Sequence, residues 1–496
     1  DEIRPFDDLV VARDAITAAG GDTVMTPAPL WTANDAATAT GGTASGDWIA
    51  SGISIDTRTL DKGDLFAALA GPNFDGHDFI AAAFDAGAAA ALVADARADM
   101  LDGKPGLAVS DPLDGLRALA TAARARTDAK IAAITGSVGK TGTKEALAHV
   151  LSSQGKTCFS KSSLNNHWGV PLSLARMDAD TDFGVFEIGM NHPGEITPLV
   201  GLARPHVSVV TAIAPAHMEF FDTVEDIARA KAEIFSAMDN GVAVINRDTE
   251  FFDLLAGSAM DSGAARVASF GRHVDADMRL LECLSDATGN TVDARWQDDT
   301  IQFRVGQPGA HWAYNSLAVL LTADALGGDL RKAAANLDTL PALPGRGAVH
   351  VIPWGGGHLR LIDDSYNANP ESMASALKTL GHMQPDGGRR VAILGDMLEL
   401  GDISRAAHAA LKGQIEKNGI DRVFLAGSEM QALADCLDTS TLGGIAENAV
   451  GILPMVLSGL QAGDVVTVKA SNGIGLSRIV KTLTDPASLT RAASGD

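Results

Sequence analysis

A glycine-rich segment at residues 134–145 carries the clearest chemical pattern in the sequence, ITGSVGKTGTKE. Glycines let backbone N–H groups turn inward around phosphate oxygens, and a following helix adds the positive end of its dipole. In such a loop Lys140 reaches the terminal phosphates of a nucleotide, and the Thr141 hydroxyl ligates Mg²⁺. Gly136 and Gly139 are closer together than in the general pattern. The segment predicts a phosphate-binding loop with ATP as its ligand, formed by Gly136, Ser137, Val138, Gly139, Lys140 and Thr141.

The sequence on both sides of this segment fits a phosphate-binding loop. Residues 130–134 read as a short buried strand, and residues 145–151 have helical periodicity. A strand, a glycine-rich loop and a helix in this order form the context that such a loop requires. The alternative is a glycine-rich turn in which Gly-Lys-Thr occurs by chance.

Glu187 is a candidate ligand for Mg²⁺. It lies at the end of an apolar strand predicted at residues 183–188, and Asn191 and His192 follow it. Acidic residues at the carboxyl ends of parallel strands face the ligand crevice of open α/β sheets. The alternative is a solvated carboxylate at the end of a strand.

Lys231 lies on the apolar face of an amphipathic helix predicted at residues 224–238. Burial without a partner is costly for an ammonium group, and it lowers the pKa so that a free amine is exposed. Such an amine can react with CO₂ to give a carbamate, an anionic oxygen ligand for Mg²⁺. A lysine that extends to solvent is the alternative. His217, in the preceding loop, is either a ligand or a structural histidine.

Two polar positions further along the chain carry binding hypotheses. Asn315, near the start of a helix predicted at residues 313–326, either reads the edge of a purine or caps the helix. Arg346 lies in residues 340–347, LPALPGRG, which read as a linker between domains. It either moves onto a γ-phosphate when the domains close or is a solvated linker charge.

A dense polar loop, DDSYNANP at residues 363–370, follows a predicted strand. A carboxylate such as Asp364 is placed there to take ribose hydroxyls or to position Arg346. The alternative is a simple turn before the helix predicted at residues 371–380.

Composition limits the class of protein. The chain has 496 residues, too many for one core, so two or three domains are expected. Its formal net charge of −23 argues against nonspecific binding to nucleic acid or anionic membranes, which requires a cationic face. No stretch reaches the apolar length of a membrane span, and the first residues show no signal-peptide pattern. We expect a cytoplasmic protein that neither binds nucleic acid nor inserts into membranes.

Alternating strand-like and helix-like segments predict an α/β protein of three domains. Residues 1–127 are predicted to form a small α/β N-terminal domain, in which residues 1–27 are a polar lead without an assigned role. Residues 128–340 are predicted to form a central P-loop ATPase domain with a parallel sheet. Residues 341–496 alternate again and predict a C-terminal Rossmann-like α/β domain.

These residues, in this order, resemble the motifs of the Mur ligase family, whose members form amide bonds using ATP and have three domains. The matching segments are residues 135–141, Glu187 with Asn191 and His192, His217, residues 230–235, Gly309 with His311 and Asn315, residues 344–346, and the Asp364 loop. Other segments resemble the branch of the family that adds D-alanyl-D-alanine (D-Ala-D-Ala) to UDP-N-acetylmuramoyl-tripeptide (UDP-MurNAc-tripeptide). They are residues 56–58, 63–66, 164–166, 169–171, 364–370 and 395–401.

The resemblance implies a role for each candidate residue. Catalytic roles fall on Lys140, Lys231, His217 and Arg346. ATP contacts fall on the loop residues 136–141 and on Asn315, Arg346 and Asp364. Mg²⁺ would be held by Thr141, Glu187, His217 and Lys231, the last as a carbamate. Substrate contacts fall on Asp56, Thr57, Arg58, Asn165, Asn166, Asn191, His192, Tyr366, Asn367 and Asn369.

The resemblance also implies an acyl-phosphate intermediate and a monomeric enzyme. One departure from the family pattern occurs at Lys469-Ala470-Ser471, where Lys-Gly-Ser is expected. Two rival functions remain open. One is another amide ligase of the superfamily, such as a folylpolyglutamate synthase, and the other is a non-catalytic nucleotide-binding partner protein.

Overall fold

The computed structural model describes residues 29–72, 74–161, 163–215, 218–286 and 288–485. The polar lead at residues 1–27 and His217 lie outside these ranges. Within the described ranges no helix is long and apolar enough to cross a bilayer. Three large sheets with flanking helices organise the described chain, which confirms the predicted α/β class.

The first region contains short strands and three helices. In chain order they are β1 (Trp31–Thr32), α1 (Ala33–Thr40), β2 (Thr43–Ser45), β3 (Ile49–Ala50), β4 (Gly52–Ser54), β5 (Asp64–Ala67), α2 (Ile80–Asp85), β6 (Ala90–Ala94), β7 (Gly106–Val109) and α3 (Pro112–Ala125). Strands β4, β5, β6 and β7 are parallel neighbours, and β2 adds an antiparallel edge. The side chain of Asp111 caps α3 and Pro112 begins it, as favoured at helix starts.

The central region carries the predicted strand, loop and helix. Its elements are β8 (Lys130–Thr135), α4 (Lys140–Ser152), β9 (Thr157–Phe159), α5 (Gly169–Ala175), β10 (Phe183–Glu187), α6 (Ile196–Ala203), β11 (Val207–Val210), α7 (Val224–Ala232), β12 (Val242–Asn246), α8 (Phe252–Asp261), β13 (Arg266–Gly271), β14 (Met278–Asp286), β15 (Gly289–Trp296), β16 (Asp299–Val305), α9 (Ala310–Ala325) and α10 (Leu330–Asn336). The strand order is β16-β15-β14-β13-β12-β11-β8-β10-β9. The strands that surround β8 are apolar and buried, as expected for a sheet covered on both faces.

The third region forms a separate sheet. Its elements are β17 (Ala348–Trp354), β18 (Gly357–Asp364), α11 (Pro370–His382), β19 (Arg390–Gly395), α12 (Ser404–Lys417), β20 (Arg422–Ala426), α13 (Gln431–Ala434), β21 (Leu442–Ala446), α14 (Ala449–Gly459), β22 (Val465–Lys469) and α15 (Ser477–Thr484). The order is β17-β18-β22-β19-β20-β21, and all neighbours are parallel except β17 and β18.

The prediction of a parallel central sheet is wrong at one edge. Strands β14, β15 and β16 run antiparallel to one another and extend the parallel part of the sheet. Their side chains alternate between buried and exposed, as in Ile301, Phe303 and Val305 of β16. The turn between β15 and β16 places Gln297 at φ 54°, a conformation that suits a tight hairpin.

The hydrophobic cores differ in how they join the regions. Residues of the first region, such as Leu116 and Leu119 of α3, share one continuous core with Leu172 and Leu174 of α5 in the central region. The two cores of the third region contain residues of that region alone. Apolar burial therefore joins the first region to the central one. The third region has its own cores and meets the central region through the linker and through polar contacts, such as the Glu219 N–H donating to the Glu399 carbonyl at 3.4 Å.

Candidate functional site

The phosphate loop closes around its lysine. Strand β8 is buried up to Thr135, and α4 begins at Lys140. The Lys140 ammonium donates to the carbonyl of Gly136 at 2.5 Å and to that of Ser137 at 3.4 Å. Gly139 lies at φ 86°, where a side chain would be strained, so this turn requires glycine. The lysine is thus folded against the carbonyl groups of its own loop.

Neighbouring strands hold the loop in position. The Ser137 hydroxyl donates to the Ala214 carbonyl at 2.9 Å and accepts from its N–H at 3.0 Å. The Thr211 hydroxyl donates to the carbonyl of Val138 at 2.6 Å. The side chain of Ser137, predicted to contact ATP, therefore anchors the loop to the segment after β11.

The two predicted oxygen ligands meet at the end of β10. Glu187 is only 1% exposed, and its Oε2 accepts a hydrogen bond from the Thr141 hydroxyl at 2.7 Å. Its Oε1 accepts from the Asn165 amide at 2.7 Å. Both oxygens of the carboxylate are thus oriented by neighbours. Asn165, predicted to contact substrate, orients Glu187 in this structure.

Lys231 is buried, so the alternative of a lysine that extends to solvent is wrong. It is 1% exposed on α7, beside Ile227, Ile234 and Phe235. The α-helix ends at Ala232 and continues as a 3-10 turn, so it is shorter than predicted. No described residue forms a hydrogen bond or ion pair with the Lys231 ammonium. Burial lowers the pKa of Lys231 well below its usual value, and the positive charge of Lys140 acts in the same direction.

Lys140 lies within the electrostatic reach of the other candidates. Burial lowers the pKa of Lys140, the negative charge of Glu187 opposes this shift, and the positive charge of Arg346 adds to it. The structure therefore gathers Lys140, Lys231, Glu187 and Thr141 around one space. His217 belongs to the predicted metal set but lies outside the described residues, among which no cluster of His, Cys, Asp and Glu forms a metal site by itself.

Asn315 lies against the phosphate loop. A Cβ atom on Gly139 would be 3.0 Å from its Oδ1, and a Cβ on Gly142 would be 3.4 Å from its Nδ2 and 3.2 Å from the Trp312 ring. The helix α9 begins after Gly309, so Asn315 is inside the helix and does not cap it.

Arg346 reaches toward the central region from the linker. Its guanidinium stacks over the Tyr366 ring, 4.3 Å from the centroid, and donates to the Ser163 hydroxyl at 3.4 Å. The ring is a surface that holds a planar cation without fixing it in one position. The arginine is therefore partly ordered and close to the site.

The polar loop of the third region has mixed roles. Asp364 forms an ion pair with Lys469 at 2.8 Å, and Lys469 also donates to the Asn367 carbonyl at 2.8 Å. Asn369 caps α11 in a capping box with Ser372, which matches the structural alternative for that residue. No function was predicted for Lys469, and its position at the end of an apolar strand was the signal that could have identified this pair.

Three of the remaining predicted substrate residues line a second space. Asp56, Thr57 and Arg58 lie in a cleft of about 2180 Å³ between the first and central regions. Arg58 pairs with Asp56 at 2.6 Å, and its hydrogen bond lowers the pKa of that carboxyl. Asn166 accepts from two N–H groups at the start of α5, so it acts as a helix cap. Asn191 and His192 are exposed and contact Glu195.

Comparisons with known proteins assign most of the chain to domains of one family. The Mur ligase middle domain matches residues 134–323, the Mur ligase glutamate ligase domain residues 349–472, and the Mur ligase family catalytic domain residues 50–126. The UDP-N-acetylmuramoyl-tripeptide–D-alanyl-D-alanine ligase of Escherichia coli strain K12 is 34% identical over 87% of this chain and 93% of its own length.

Solved structures give the same result. MurF from Acinetobacter baumannii superimposes with a TM-score of 0.79 at 28% identity, covering 91% of this chain and 98% of its own. MurF ligase from Thermotoga maritima, solved in complex with ADP, gives a TM-score of 0.70 at 26% identity over 87% of this chain and 96% of its own. The phosphate loop, the three domain matches and these relatives together show that the chain belongs to the Mur ligase family.

Proposed function

We propose that the protein is an ATP-dependent amide ligase that joins D-Ala-D-Ala to UDP-MurNAc-tripeptide, a step toward the peptidoglycan precursor. The observation that carries the proposal is a phosphate loop beside Glu187 and Lys231 in a chain that spans 93% of a ligase relative with this activity. We also propose the three domains at residues 1–127, 128–340 and 341–496, with the ligase acting as a monomer in the cytoplasm.

The reaction overcomes the poor electrophilicity of a carboxylate. A carboxylate oxygen of the tripeptide attacks the γ-phosphorus of ATP, and the bond to ADP breaks. The resulting acyl phosphate carries a good leaving group. The amine of D-Ala-D-Ala attacks the acyl carbon, the tetrahedral intermediate expels phosphate, and the nitrogen loses a proton.

Charge stabilisation is the main task of the residues in the first step. Two anions, the carboxylate and the triphosphate, must approach each other, and the transferring group spreads its charge over its oxygens. Lys140 lies within the loop, where its ammonium donates to the Gly136 carbonyl, and it would turn to the phosphoryl oxygens when ATP binds. Arg346, held loosely on Tyr366, would add its charge when the third domain closes. Closure would also exclude water that hydrolyses the acyl phosphate.

The oxygen donors fit Mg²⁺. The Thr141 hydroxyl and the Glu187 carboxylate are hard oxygen ligands that lie together at the strand end, as Mg²⁺ prefers. We infer that Thr141, Glu187, His217 and a modified Lys231 hold the ion. When bound, Mg²⁺ neutralises phosphate charge. Asn165 keeps the Glu187 carboxylate turned toward the loop.

We infer that Lys231 carries a carbamate. Its buried amine has a lowered pKa and no partner among the described residues, so the neutral nucleophilic form is favoured. The nitrogen attacks CO₂, one C–N bond forms, and one proton is released. In isotope-labelled bicarbonate, we expect a carbamate carbon signal by NMR that Lys231→Met abolishes and Lys332→Met, at an exposed lysine, retains. A signal that survives Lys231→Met would contradict the assignment.

The substrates would occupy the two spaces beside the loop. The cleft lined by Asp56, Thr57 and Arg58 suits the UDP end of the muramyl peptide. We propose that Asn165, Asn166, Asn191 and His192 border the same substrate. Tyr366, Asn367 and Asn369 would contact the substrates from the third domain, while Asn315 and Asp364 would contact ATP.

Phosphate release tests the proposed function. We expect purified protein to release phosphate from ATP only when UDP-MurNAc-tripeptide and D-Ala-D-Ala are both present. Lys140→Ala should reduce turnover by about a hundredfold or more, because a major electrostatic contact to the phosphoryl group is lost. Lys332→Ala serves as the control.

The same assay separates the rivals. Turnover with glutamate and a folate, but not with D-Ala-D-Ala, would favour the folylpolyglutamate synthase alternative. ATP binding without turnover on any pair of substrates would favour a non-catalytic partner protein.

A further inference from the structure

The linker between the central and third regions is held by a buried polar contact at each end. On the central side, Leu340 is 4% exposed and its carbonyl accepts a hydrogen bond from the Gln307 amide at 2.7 Å. On the third side, the Gly345 N–H donates to Asp363 Oδ2 at 2.7 Å. Between these contacts, Pro341, Ala342 and Pro344 are exposed. The movable part of the linker is therefore short, and Arg346 follows directly after it.

Gln307 is itself held by a second buried amide. The Asn290 side-chain amide donates to the backbone carbonyl of Gln307 at 2.6 Å and to the backbone carbonyl of Gly309 at 3.0 Å. Asn290 is completely buried and Gln307 is 4% exposed. The oxygen of the Asn290 amide accepts from the Ser285 hydroxyl at 2.5 Å. The side-chain NH₂ groups of Asn290 and Gln307 therefore donate to defined backbone carbonyls, which fixes their orientation.

The backbone between these residues lies unusually close to the segment that precedes the linker. The Gly306 N–H donates to the Leu337 carbonyl at 2.9 Å. A Cβ atom on Gly306 would lie 2.1 Å from the Asp338 carbonyl oxygen, so only glycine fits at this position. This contact brings the end of β16 against the chain that leads to Leu340.

The same series reaches the nucleotide side of the site. Gly309 precedes α9, and Asn315 on the first turns of that helix lies against Gly139 of the phosphate loop. Asn290 thus holds the start of α9 with one contact and, through Gln307, the start of the linker with another. The hairpin of β14 and β15 connects the two parts of the site that must act together.

We propose that Asn290 and Gln307 are positioning residues. They keep the start of α9 and the fixed end of the linker in a constant position relative to each other, so that Arg346 meets the phosphoryl group bound at the loop. This inference rests on the proposed ligase function for its catalytic consequence. Neither side chain needs to touch a substrate. A shift of the linker by a fraction of its length would misplace Arg346 after closure, and small misplacements are costly in turnover.

A purely structural role makes a different prediction. Buried amides also stabilise cores, and their loss then lowers stability without separating nucleotide binding from turnover. Thr322 supplies the matched control, because it is fully buried on α9 and its hydroxyl donates only to the Ala318 carbonyl at 2.6 Å. Thr322→Val removes a buried polar group from the same helix without touching the linker or the loop.

The first test uses Gln307→Met, which keeps the size of the side chain and removes its donor. We expect kcat for phosphate release to fall about tenfold while KM for ATP changes by less than about twofold. Hydrogen exchange in residues 337–343 should become faster, because the Leu340 carbonyl is released. Thr322→Val should leave kcat and this exchange unchanged. Equal behaviour of Gln307→Met and Thr322→Val in both measurements would overturn the linker part of the inference.

The second test uses Asn290→Ala and needs no turnover. ADP binding, measured by titration calorimetry, should weaken about tenfold because the start of α9 is released, whereas Gln307→Met should bind ADP like the wild type. Faster exchange at residues 337–343 is expected in both variants. Unchanged ADP binding by Asn290→Ala would overturn the inference. Wild-type protein that binds ADP but releases no phosphate with both substrates would instead contradict the proposed function, and binding and exchange would still decide the positioning role.

Discussion

Lys231 in the central region and Lys469 in the third region are both buried, as is Lys144 among the described residues, but the environments of Lys231 and Lys469 differ. Lys231 on α7 is 1% exposed, and no described residue pairs with its ammonium. Lys469 at the end of β22 is 2% exposed, and it pairs with Asp364 at 2.8 Å and donates to the Asn367 carbonyl. The two positions have similar burial but different charge compensation.

This difference shows what distinguishes a buried structural lysine from a buried reactive one, which is the presence or absence of a partner. A buried charge that is paired and hydrogen-bonded belongs to the fold, since its desolvation is offset locally. A buried amine without a partner is held near its neutral form, and burial lowers the pKa of Lys231 accordingly. The ion pair of Lys469 is completed within the third region, whereas Lys231 in the central region has no counter-charge among the described residues.

The largest expected effect is the loss of activity in Lys231→Ala. We expect phosphate release to fall by about a thousandfold, as when a major electrostatic group is removed from a site. Added acetate should restore part of the activity by occupying the place of the carbamate. Lys412→Ala, at a lysine paired with Glu416 on the surface of α12, is the control. Near-normal turnover of Lys231→Ala would show that the central lysine is as structural as Lys469.

The next effect is the loss of stability in Lys469→Met. Removing one partner leaves the Asp364 carboxylate without its main counter-charge, which should cost roughly 3 kcal/mol in the free energy of local unfolding. Hydrogen exchange of amides in β18 and β22 measures this cost. Adding Asp364→Asn to the same chain should recover part of it. If the single variant is as protected as the wild type, the pair contributes little and the contrast between the two lysines fails.

A third cation, Arg346, lies between these extremes. It is half-buried and stacked on Tyr366, without a carboxylate partner among the described residues. We expect Arg346→Ala to lower kcat by about ten- to a hundredfold while the KM for the muramyl peptide stays nearly constant, because its contact forms on closure. Steady-state kinetics with both substrates measures this. A rise in that KM with an unchanged kcat would identify a ground-state contact.

The sequence predicted where the site lies better than it predicted which side chains contact one another within it. Strand β8, the loop and α4 followed from local periodicity and glycine spacing. Helical geometry placed Lys231 on the apolar face but left open whether the side chain is buried or extends to solvent. The position of Asn165 beside Glu187 did not follow from the sequence, because residues far apart in sequence meet there only after the sheet has formed.

Other differences have similar causes. The antiparallel strands β14 to β16 carry short alternating patterns that do not reveal which edge of a sheet they join. Asn369 has a residue type equally suited to a cap and to a ligand, and its role depends on where α11 begins. Asn290 and Gln307 match no motif, and only the hairpin brings them to the start of the linker.

The smallest expected effect is a dependence of stability on pH at Lys231. In buffer free of bicarbonate, the unfolded chain binds a proton at this lysine up to its usual pKa, whereas the folded chain releases it at lower pH because burial lowers the pKa. Unfolding therefore takes up a proton between the two values, and the free energy of unfolding rises with pH across that window. Below the folded pKa the wild type carries the full cost of an unpaired buried charge.

Lys231→Met removes this contribution. The variant should be more stable than the wild type by about 1 kcal/mol at the low-pH end of the window, and the gap should narrow as the pH rises. Lys469→Met should show the opposite sign, because it breaks a pair that is already satisfied. Urea unfolding followed by circular dichroism at a series of pH values measures both. A less stable Lys231→Met at low pH would mean that the ammonium has a counter-charge in the folded protein, and Lys231 would then resemble Lys469.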